Sequence, residues 1–332
     1  MRRIFLTLSI LFTALAAWAQ HADTTLVPRG QVKPEKDSIA LPPAPEWDME
    51  VTFASRDTCS LSMDIYFPKD DNEKHPCVLF VYGGGFVQNN LRARSNRIFC
   101  RQMADAGYVT CAVDYRLGLK GVKASSPLSM VDNMDIAVHM ATEDLFSAVK
   151  YVLDYADELT VDPSKIITIG SSAGAITVLQ ADYELCNRTP QTAELPEDFR
   201  FAGVVSLSGA VFSREGKCDY RVHDPAPTMF LHGTKDRLVT YKQIRLFRLG
   251  FFGTDKMVDR FDQFDYPYFC LRFNGRAHEV ATFASVCLDQ ILWFIDRYVN
   301  QGKKWQVDAF LNELEMDPKT VWDFDVKALY GK

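Results

Sequence analysis

The sequence predicts an α/β protein with a mostly parallel sheet, and two observations support this prediction. The first is a series of short, almost unbroken apolar runs, which are typical of strands buried on both faces. The runs cover residues 77–83, 108–115, 165–170, 202–209, 228–233 and 268–273. The second is that stretches with helical spacing of apolar residues separate most of the runs. Strands that alternate with helices form a parallel sheet with helices on both faces.

An antiparallel hairpin is predicted ahead of these runs. Apolar and polar side chains alternate in residues 49–56 and 59–68, on either side of a short turn. This pattern indicates two strands with one solvent-exposed face. The helical spacing is clearest in residues 134–159 and 281–299. Because this region has neither an internal repeat nor a change of composition, we expect a single domain over residues 49–300.

Residues 1–19 have the pattern of a cleavable signal peptide. Arg2 and Arg3 precede a fifteen-residue apolar stretch, and small residues lead to a cleavage site after Ala19. Fifteen apolar residues are too few to cross a bilayer, so we expect no membrane span in the mature protein. The expected location is the periplasm or the extracellular space.

The two segments that flank the predicted domain differ in character. Residues 20–48 are rich in proline and charge and lack an apolar period, which predicts a flexible leader. Residues 301–332 lie beyond the domain and contain several aromatic side chains. We expect them to form a helical extension packed on the domain.

The composition excludes several classes of protein. With 47% hydrophobic and 24% charged residues the chain is typical of globular proteins, and its net charge of -6 argues against nucleic-acid binding. No spacing of Cys or His resembles a zinc site, so we expect no metal and no cofactor. The oligomeric state stays open.

The eight cysteines divide by their sequence environment. Cys77, Cys111 and Cys270 lie in apolar runs, where a buried free thiol is expected. Cys186 and Cys218 lie in polar segments, and in an exported protein they are the pair most open to a disulfide. The sequence alone does not determine the connectivity.

A serine stands at one strand end in a pattern typical of nucleophiles. The stretch GSSAG, residues 170–174, follows a predicted strand and precedes a predicted helix, with Ser172 at the centre of G-x-S-x-G. In this context the pattern forms a tight turn that holds the serine hydroxyl above the sheet. Ser171 is off-centre and is the weaker candidate. The alternative role for Ser172 is to cap the following helix.

A serine nucleophile needs a base, and elimination among the six histidines favours His278. Only His232 and His278 follow strands at the carboxyl edge of the sheet, where parallel sheets bind ligands. His232 lies within a turn, and we expect a structural role for it. His278 lies on an irregular stretch before the last long helix, from which it can reach Ser172.

The base in turn needs a carboxylate to orient it, and Asp236 is the strongest candidate. It lies three residues beyond Gly233, which ends a predicted strand. The rivals, none of which directly follows a strand, are Asp224, Glu279 and the cluster of Asp259, Asp262 and Asp265. The serine, the aspartate and the histidine then occur in the chain order expected for hydrolases of this architecture.

Three consecutive glycines, Gly83 to Gly85, follow another predicted strand. Bare backbone can approach a reacting atom closely, and N–H groups stabilise the oxyanion that forms when a serine attacks an ester. We expect the N–H groups of Gly84, Gly85 and Ala173 to form this oxyanion hole. A phosphate-binding loop is the alternative, but the Lys-Ser/Thr and G-x-G-x-x-G contexts are missing.

Four stretches resemble the α/β-hydrolases, in the branch of carboxylesterases, lipases and acetyl or feruloyl esterases. They read VYGGGF, DYRL, VDPSKIITIGSSAG and LHGTKDRLV, and the resemblance spans about residues 49–300. It implies an α/β-hydrolase fold, with Ser172 as the nucleophile and Asp236 and His278 completing a catalytic triad. It also implies that the glycine loop supplies half of the oxyanion hole.

Two positions depart from the pattern of that family, and both bear on the class of substrate. Tyr82 stands where relatives often have histidine, and Ser171 stands where many carry an acidic or aromatic residue. We expect Asp114 to pair with Arg116 beneath the glycine loop. Three aromatic residues are expected to contact substrate: Tyr82, Phe86 and Tyr115.

These features predict an exported serine carboxylesterase that acts on short or compact acyl esters, such as acetyl or feruloyl groups on polysaccharide, through an acyl-enzyme intermediate. The expected partner is a small-molecule or carbohydrate ester. A serine peptidase of the same fold and a non-catalytic binding relative are the alternatives.

The insertions do not resemble the amphipathic lid of a lipase, which needs an apolar stripe at helical spacing. Residues 182–200 and 213–224 are polar and charged, and we expect them to form a wet rim around the pocket. One group of apolar residues either fills an acyl slot or belongs to the core under a long loop: Met130, Met134, Ile136, Val138 and Met140.

Overall fold

The computed structural model describes residues 43–56, 59–69, 74–123 and 126–312 of the chain. The predicted signal peptide, its cleavage site after Ala19 and most of the predicted leader lie outside these ranges. They stay predictions.

The strands of the described residues form two sheets. The strands are β1 (Met49–Arg56), β2 (Cys59–Tyr66), β3 (His75–Val81), β4 (Val109–Val113), β5 (Val161–Ser171), β6 (Gly203–Leu207), β7 (Ala210–Ser213), β8 (Thr228–Gly233), β9 (Gln243–Leu246), β10 (Leu249–Gly253), β11 (Tyr268–Phe273) and β12 (Gln306–Leu311). Nine of them form one sheet in the order β1-β2-β4-β3-β5-β6-β8-β11-β12. The smaller sheet has the order β7-β10-β9.

The large sheet is parallel from β4 to β12, and β1 and β2 form an antiparallel hairpin at its other edge. Every residue of β4, β6 and β8 is buried. Strands buried on both faces have no need of polar side chains, which explains the apolar runs in the sequence. The predicted mostly parallel sheet with an N-terminal hairpin is confirmed.

Five α-helices lie between the strands of the described chain. They are α1 (Arg94–Asp105), α2 (Pro127–Asp154), α3 (Ala173–Asn187), α4 (Thr254–Gln263) and α5 (Leu288–Phe294). The chain steps from β3 to β4 in one direction and from β4 to β5 and β6 in the other. Because crossover connections share one hand, α1 lies on the opposite face of the sheet from α2 and α3. No described helix combines the length and apolar character that crossing a membrane requires.

The segment after α5 differs from the prediction, because residues 306–311 form strand β12 and not a helix. Exposed and half-buried residues alternate along β12, which pairs in parallel with β11. Arg272 on β11 donates a 2.6 Å hydrogen bond to Asp308 on β12 and joins the two strands. The expected helical extension is therefore wrong for this stretch. Residues 313–332 lie outside the described ranges.

The end of the predicted flexible leader is docked on α1. Arg97 donates hydrogen bonds to the carbonyl oxygens of Pro45 at 2.8 Å and Ala44 at 3.1 Å. Arg101 donates to the carbonyl oxygen of Glu46 at 2.9 Å. Two helix arginines thus hold this stretch, so the ordered chain begins ahead of residue 49.

All eight cysteines are free, so the suggested disulfide between Cys186 and Cys218 is wrong. Both thiols are buried, and burial raises the pKa of each well above its usual value. Cys186 instead donates from Sγ to the carbonyl oxygen of Asp224 at 3.4 Å. Three further thiols are buried as predicted: Cys77, Cys111 and Cys270.

Asp182 is a carboxyl group buried in the middle of α3. Its carboxylate accepts hydrogen bonds from the backbone N–H of Ala226 at 3.2 and 3.4 Å. Burial outweighs these bonds and raises the pKa of Asp182 to about 7. An unfolded aspartate has a pKa of about 3.9. The folded protein therefore binds a proton at Asp182 that the unfolded chain releases between these two values.

We expect this group to lower the free energy of unfolding as the pH rises from about 4 to about 7, by roughly 1.4 kcal/mol per pH unit. The sign follows because the folded state holds more protons than the unfolded state in this window. Asp182→Asn keeps an acceptor oxygen and should remove this contribution, so the variant gains stability relative to wild type between pH 5 and pH 8. Urea denaturation at both pH values measures the effect.

Asp198→Asn, at an exposed position between α3 and β6, is the matched control and should leave the pH dependence unchanged. A wild-type and an Asp182→Asn protein whose stabilities change in parallel with pH would contradict the prediction.

Candidate active site

Ser172 occupies a sharp turn between β5 and α3. Its backbone has φ 53° and ψ -116°, a strained conformation for a residue with a side chain. A Cβ atom on Gly174 would lie 2.0 Å from the carbonyl oxygen of Val81, and one on Gly170 would lie 2.3 Å from that of Gly174. Neither position can hold a side chain, which explains both glycines of G-x-S-x-G. The Ser172 hydroxyl does not cap α3, so the alternative role is wrong.

A chain of hydrogen bonds runs from Ser172 through His278 to Asp236. The Oγ atom of Ser172 lies 2.8 Å from Nε2 of His278, and Nδ1 of His278 lies 2.7 Å from Oδ2 of Asp236. An ionised carboxylate accepts only, so Nδ1 of His278 carries the proton and Nε2 accepts from the serine hydroxyl. The sequence placed these three residues after β5, β8 and β11, and the carboxyl edge of the parallel sheet brings them together.

The Asp236 carboxylate is buried but fully hydrogen-bonded. Its Oδ1 atom accepts from the backbone N–H groups of Leu238 at 2.9 Å and Val239 at 3.1 Å. Burial by itself would raise the pKa of Asp236, but the charge of His278 and the hydrogen bonds from His232 and His278 hold it well below its usual value. The carboxylate therefore stays ionised at any pH at which the imidazole acts as a base.

His232 is a second histidine on the same carboxylate oxygen. It is completely buried, and its Nε2 atom lies 3.2 Å from both Oδ2 of Asp236 and the carbonyl oxygen of Val239. Since both are acceptors, Nε2 carries the proton, and Nδ1 accepts from the Thr254 hydroxyl at 2.8 Å. Sequence reasoning expected a structural role for His232 but missed this contact. The four-residue spacing in HGTKD was the available signal.

Ser171 points away from the imidazole. Its hydroxyl donates a 2.6 Å hydrogen bond to the carbonyl oxygen of Ala281. Ala281 belongs to the short 3-10 helix His278–Thr282, which begins with the histidine of the hydrogen-bonded chain. Ser171 thus ties the serine turn to the segment that carries His278.

The glycine loop lies directly against the serine turn. A Cβ atom on Gly83 would lie 3.0 Å from Cβ of Ser172. Gly85 has φ 58°, and the Gly84 carbonyl oxygen accepts from Val87 and Gln88 to close a turn. Within the described chain, the N–H groups of Gly84 and Gly85, like that of Ala173 at the start of α3, have no hydrogen-bond acceptor. These are the three donors that the sequence assigned to an oxyanion hole.

Tyr82 and Tyr115 support the glycine loop from below. The Tyr82 hydroxyl donates to Asp114 at 2.7 Å, and the Tyr115 hydroxyl donates to the carbonyl oxygen of Tyr82 at 3.0 Å. Their rings stack with centroids 4.6 Å apart, and Phe86 meets Tyr115 edge-on. Both hydroxyl groups are thus engaged within the protein. Contact of the three aromatic residues with substrate stays a prediction.

The expected pair of Asp114 and Arg116 is wrong. Asp114 accepts instead from Tyr82 and from Asn89 at 3.0 Å. Arg116 turns to α2, where its Nε atom donates to both oxygens of Asp144 at 2.9 Å. The buried Asp144 needs a cation, since a buried charge is costly without a partner.

The apolar group expected near residues 120–140 lies on helix α2 and not under a long loop. Ile136 is 54% exposed, whereas Val138 is completely buried in the core. Met130 is also buried and Met134 packs against the core, so the core alternative is confirmed for these three residues, and Ile136 faces another side of the helix.

Comparison with known proteins finds esterases, lipases and a polyketide synthase among the relatives of this chain. The family model described as BD-FAE matches residues 63–211. Gut esterase 1 of Caenorhabditis elegans is 28% identical over 120 residues, which are 36% of this chain and 20% of the relative. Versiconal hemiacetal acetate esterase of Dothistroma septosporum is 27% identical over 51% of this chain and 45% of its own length. The match thus spans about a fifth of the length of the first relative and less than half of the length of the second.

A solved structure resembles the whole fold. A thermophilic esterase of Thermogutta terrifontis superposes with a TM-score of 0.55 at 21% identity, covering 77% of this chain and 92% of its own. At this identity the likeness concerns the fold alone. The chain therefore has the α/β-hydrolase fold, and the relatives that its sequence resembles include esterases and lipases.

Proposed function

We propose that this protein is a serine esterase that hydrolyses carboxylic esters with short or compact acyl groups through an acyl-enzyme intermediate. The observation that carries the proposal is the unbroken hydrogen-bonded chain from Ser172 through His278 to Asp236, at 2.8 and 2.7 Å. The names of the relatives, an esterase and an acetate esterase, support the same class of reaction. The signal-peptide pattern leads us to propose export as well.

In the first half of the reaction Ser172 attacks the ester carbonyl carbon while His278 takes the hydroxyl proton at Nε2. The resulting imidazolium is stabilised by the ionised Asp236 carboxylate at Nδ1. His278 then donates its proton to the departing alcohol oxygen, and the acyl group stays on Ser172. The bond to serine forms first, and the carbon–oxygen bond to the alcohol breaks when the tetrahedral intermediate collapses, so no cofactor is needed.

The negative charge that develops on the carbonyl oxygen needs donors that are already in place. The N–H groups of Gly84, Gly85 and Ala173 have no acceptor in the described chain, and Gly83, which precedes the first two, lies against the serine turn. The amino end of α3 adds a favourable dipole. Loss of one such donor typically raises the barrier by about 3 kcal/mol.

In the second half a water molecule replaces the alcohol. His278 accepts a proton from the water, whose oxygen attacks the acyl carbon, and the proton then returns to Ser172 as the acid leaves. The same imidazole thus serves as base and acid in turn.

Ser172→Ala should reduce ester hydrolysis by roughly 10⁴- to 10⁶-fold and abolish labelling by a fluorophosphonate, because the attacking oxygen is lost. Ser171→Ala is the matched control at the neighbouring position. It removes the hydrogen bond to Ala281 but no reacting atom, so most activity and the labelling should persist. Hydrolysis of 4-nitrophenyl acetate and intact-mass labelling measure both. Labelling of Ser172→Ala protein would show that the nucleophile lies elsewhere.

Activity on 4-nitrophenyl esters should be highest for short acyl chains and fall with chain length. Of the α2 residues that were candidates for an acyl slot, Met130, Met134 and Val138 are taken up by the core and Ile136 is exposed. No continuous apolar channel is therefore expected to gain about 0.8 kcal/mol per methylene. Chains of two to about sixteen carbons, below and above their aggregation threshold, form the series. Peak activity at about twelve carbons or more, or a jump upon aggregation, would identify a lipase.

His232→Leu should lower kcat about tenfold with little change in KM, because Asp236 then loses a donor and holds His278 less well. His232→Gln, whose amide can again donate to Asp236, should restore part of the activity. Thr254→Val leaves His232 in place but removes the hydroxyl group that donates to its Nδ1 atom. It therefore tests the contact of His232 with Asp236 without removing the imidazole ring. Circular dichroism confirms folding. If all three variants change activity only in proportion to the folded fraction, His232 serves stability alone.

A further inference from the structure

Exposed cationic side chains gather at the edge of the sheet that carries Ser172. Lys120 and Lys123 lie on the loop between β4 and α2, which joins the glycine loop through a hydrogen bond from Leu119 N–H to the Phe86 carbonyl oxygen. The loops that carry the other two residues of the hydrogen-bonded chain hold three more cations. We name the set the cationic rim: Lys120, Lys123, Lys235, Arg237 and Arg276.

The cationic rim is not neutralised within the described chain. None of its five side chains forms an ion pair with a described carboxylate, and all five are exposed. The acids of the same loops are already engaged: Asp114 accepts from Tyr82, Asp236 is buried under His278, and Glu279 accepts from the Ala277 N–H. The positive charge therefore faces solvent beside the candidate active site.

The hairpin of β9 and β10 extends this surface. It pairs with β7, which follows β6 and so rises from the same edge of the sheet. The hairpin carries exposed Lys242, Arg245 and Arg248 and no acidic residue. Phe247 at its tip is 87% exposed.

The opposite edge of the sheet carries exposed acidic side chains. Two loops there, before β5 and before β6, carry five exposed acids, of which the first pairs with Lys74: Asp157, Glu158, Glu194, Glu197 and Asp198. Since the whole chain has a net charge of -6, the positive edge is a local feature and not a consequence of composition. The unpaired cations of the cationic rim thus lie at the strand ends that hold Ser172, whereas exposed acids and the ion pair of Lys74 with Asp157 lie at the other ends.

We infer that the ester substrate is carried by an anionic carbohydrate, whose carboxylate groups bind the cationic rim while the acyl group reaches Ser172. This rests on the proposed esterase function and narrows its substrate class. Lysine and arginine around a site raise the local concentration of an anionic substrate and hold its carboxylates by charge-assisted hydrogen bonds. The spread of cations over three loops and a hairpin matches a chain of several acidic sugars better than one small anion.

An anionic membrane surface is the other polyanion to consider. Membrane-bound surfaces combine cations with a broad apolar face that enters the lipid. The described rim loops expose no large apolar side chain, and the hairpin exposes only Phe247. Because the surface has the positive charge but lacks the apolar face, an anionic carbohydrate is favoured over a membrane as its partner.

The test compares acetate release from O-acetylated polygalacturonate and from O-acetylated dextran, which carries the same acyl group on a neutral polymer. At low salt, about 20 mM, kcat/KM for the acidic polymer should exceed that for dextran by about tenfold or more. Near 500 mM salt, where charges are screened, the ratio should approach one. A ratio that does not depend on salt would overturn the inference.

Two pairs of substitutions on separate loops test whether the residues of the cationic rim bind the acidic polymer. Lys120→Gln with Lys123→Gln, and independently Lys235→Gln with Arg276→Gln, should each lower the acidic-to-neutral ratio about three- to tenfold, mainly through KM. Lys150→Gln, near the opposite edge, should leave the ratio unchanged. Equal losses on both polymers would show that the substitutions disturb the site itself and would overturn the inference.

A binding measurement tests this inference independently of the proposed esterase reaction. Ser172→Ala protein should bind polygalacturonate in isothermal titration calorimetry with a salt-dependent Kd, even if the wild type hydrolyses no ester. Absence of binding at low salt would overturn the inference. It would not affect the proposed esterase function, which is measured as hydrolysis of 4-nitrophenyl acetate by the wild type. Binding to phosphatidylserine vesicles in place of polygalacturonate would assign the cationic rim to a membrane.

Discussion

The close approach of two backbones, at the end of β3 and the start of α3, determines the geometry of the site. The Val81 carbonyl oxygen occupies the space that a side chain on Gly174 would need, at 2.0 Å from its Cβ position. Since β3 leads into the glycine loop and α3 follows Ser172, this one contact brings the loop and the serine together. A methyl group there would push the two apart by more than an ångström, and every donor around Ser172 would move with it.

A second constraint concerns charge. The Asp236 carboxylate is buried, and an isolated charge in that environment would be very unfavourable. Two backbone N–H groups on Oδ1 and two imidazoles on Oδ2 compensate for the lost water. Because each partner comes from the turn after β8 or from a neighbouring element, the position of the carboxylate is defined from several directions. The orientation of His278 depends on that position.

Much of this arrangement could be predicted from the sequence because it depends on local rules. Strands buried on both faces give apolar runs, and parallel strands place their carboxyl ends at one edge, so Ser172, Asp236 and His278 were identifiable by their place after strands. The G-x-S-x-G turn is local as well. The fold class and the N-terminal hairpin followed from periodicity alone.

Most of the errors concern contacts between distant parts of the chain. Arg116 pairs with Asp144, which lies 28 residues away on α2, and not with Asp114, two residues away. Strand β12 shows the alternation of an edge strand, but the aromatic residues around it suggested a packed helix. The contact of His232 with Asp236 depends on the turn geometry after β8, which residue spacing suggests but does not establish.

The free thiols have a consequence for following the folding of this protein. Cys59 is exposed and the other seven thiols are buried in different layers of the molecule. A thiol reagent added to the native protein therefore modifies one position, and each further modified cysteine reports the opening of a particular layer. Cys77 and Cys111 lie on the adjacent central strands β3 and β4, and Cys287 precedes α5. The order in which mass additions appear in denaturant thus reads out the sequence of local opening without any engineered label.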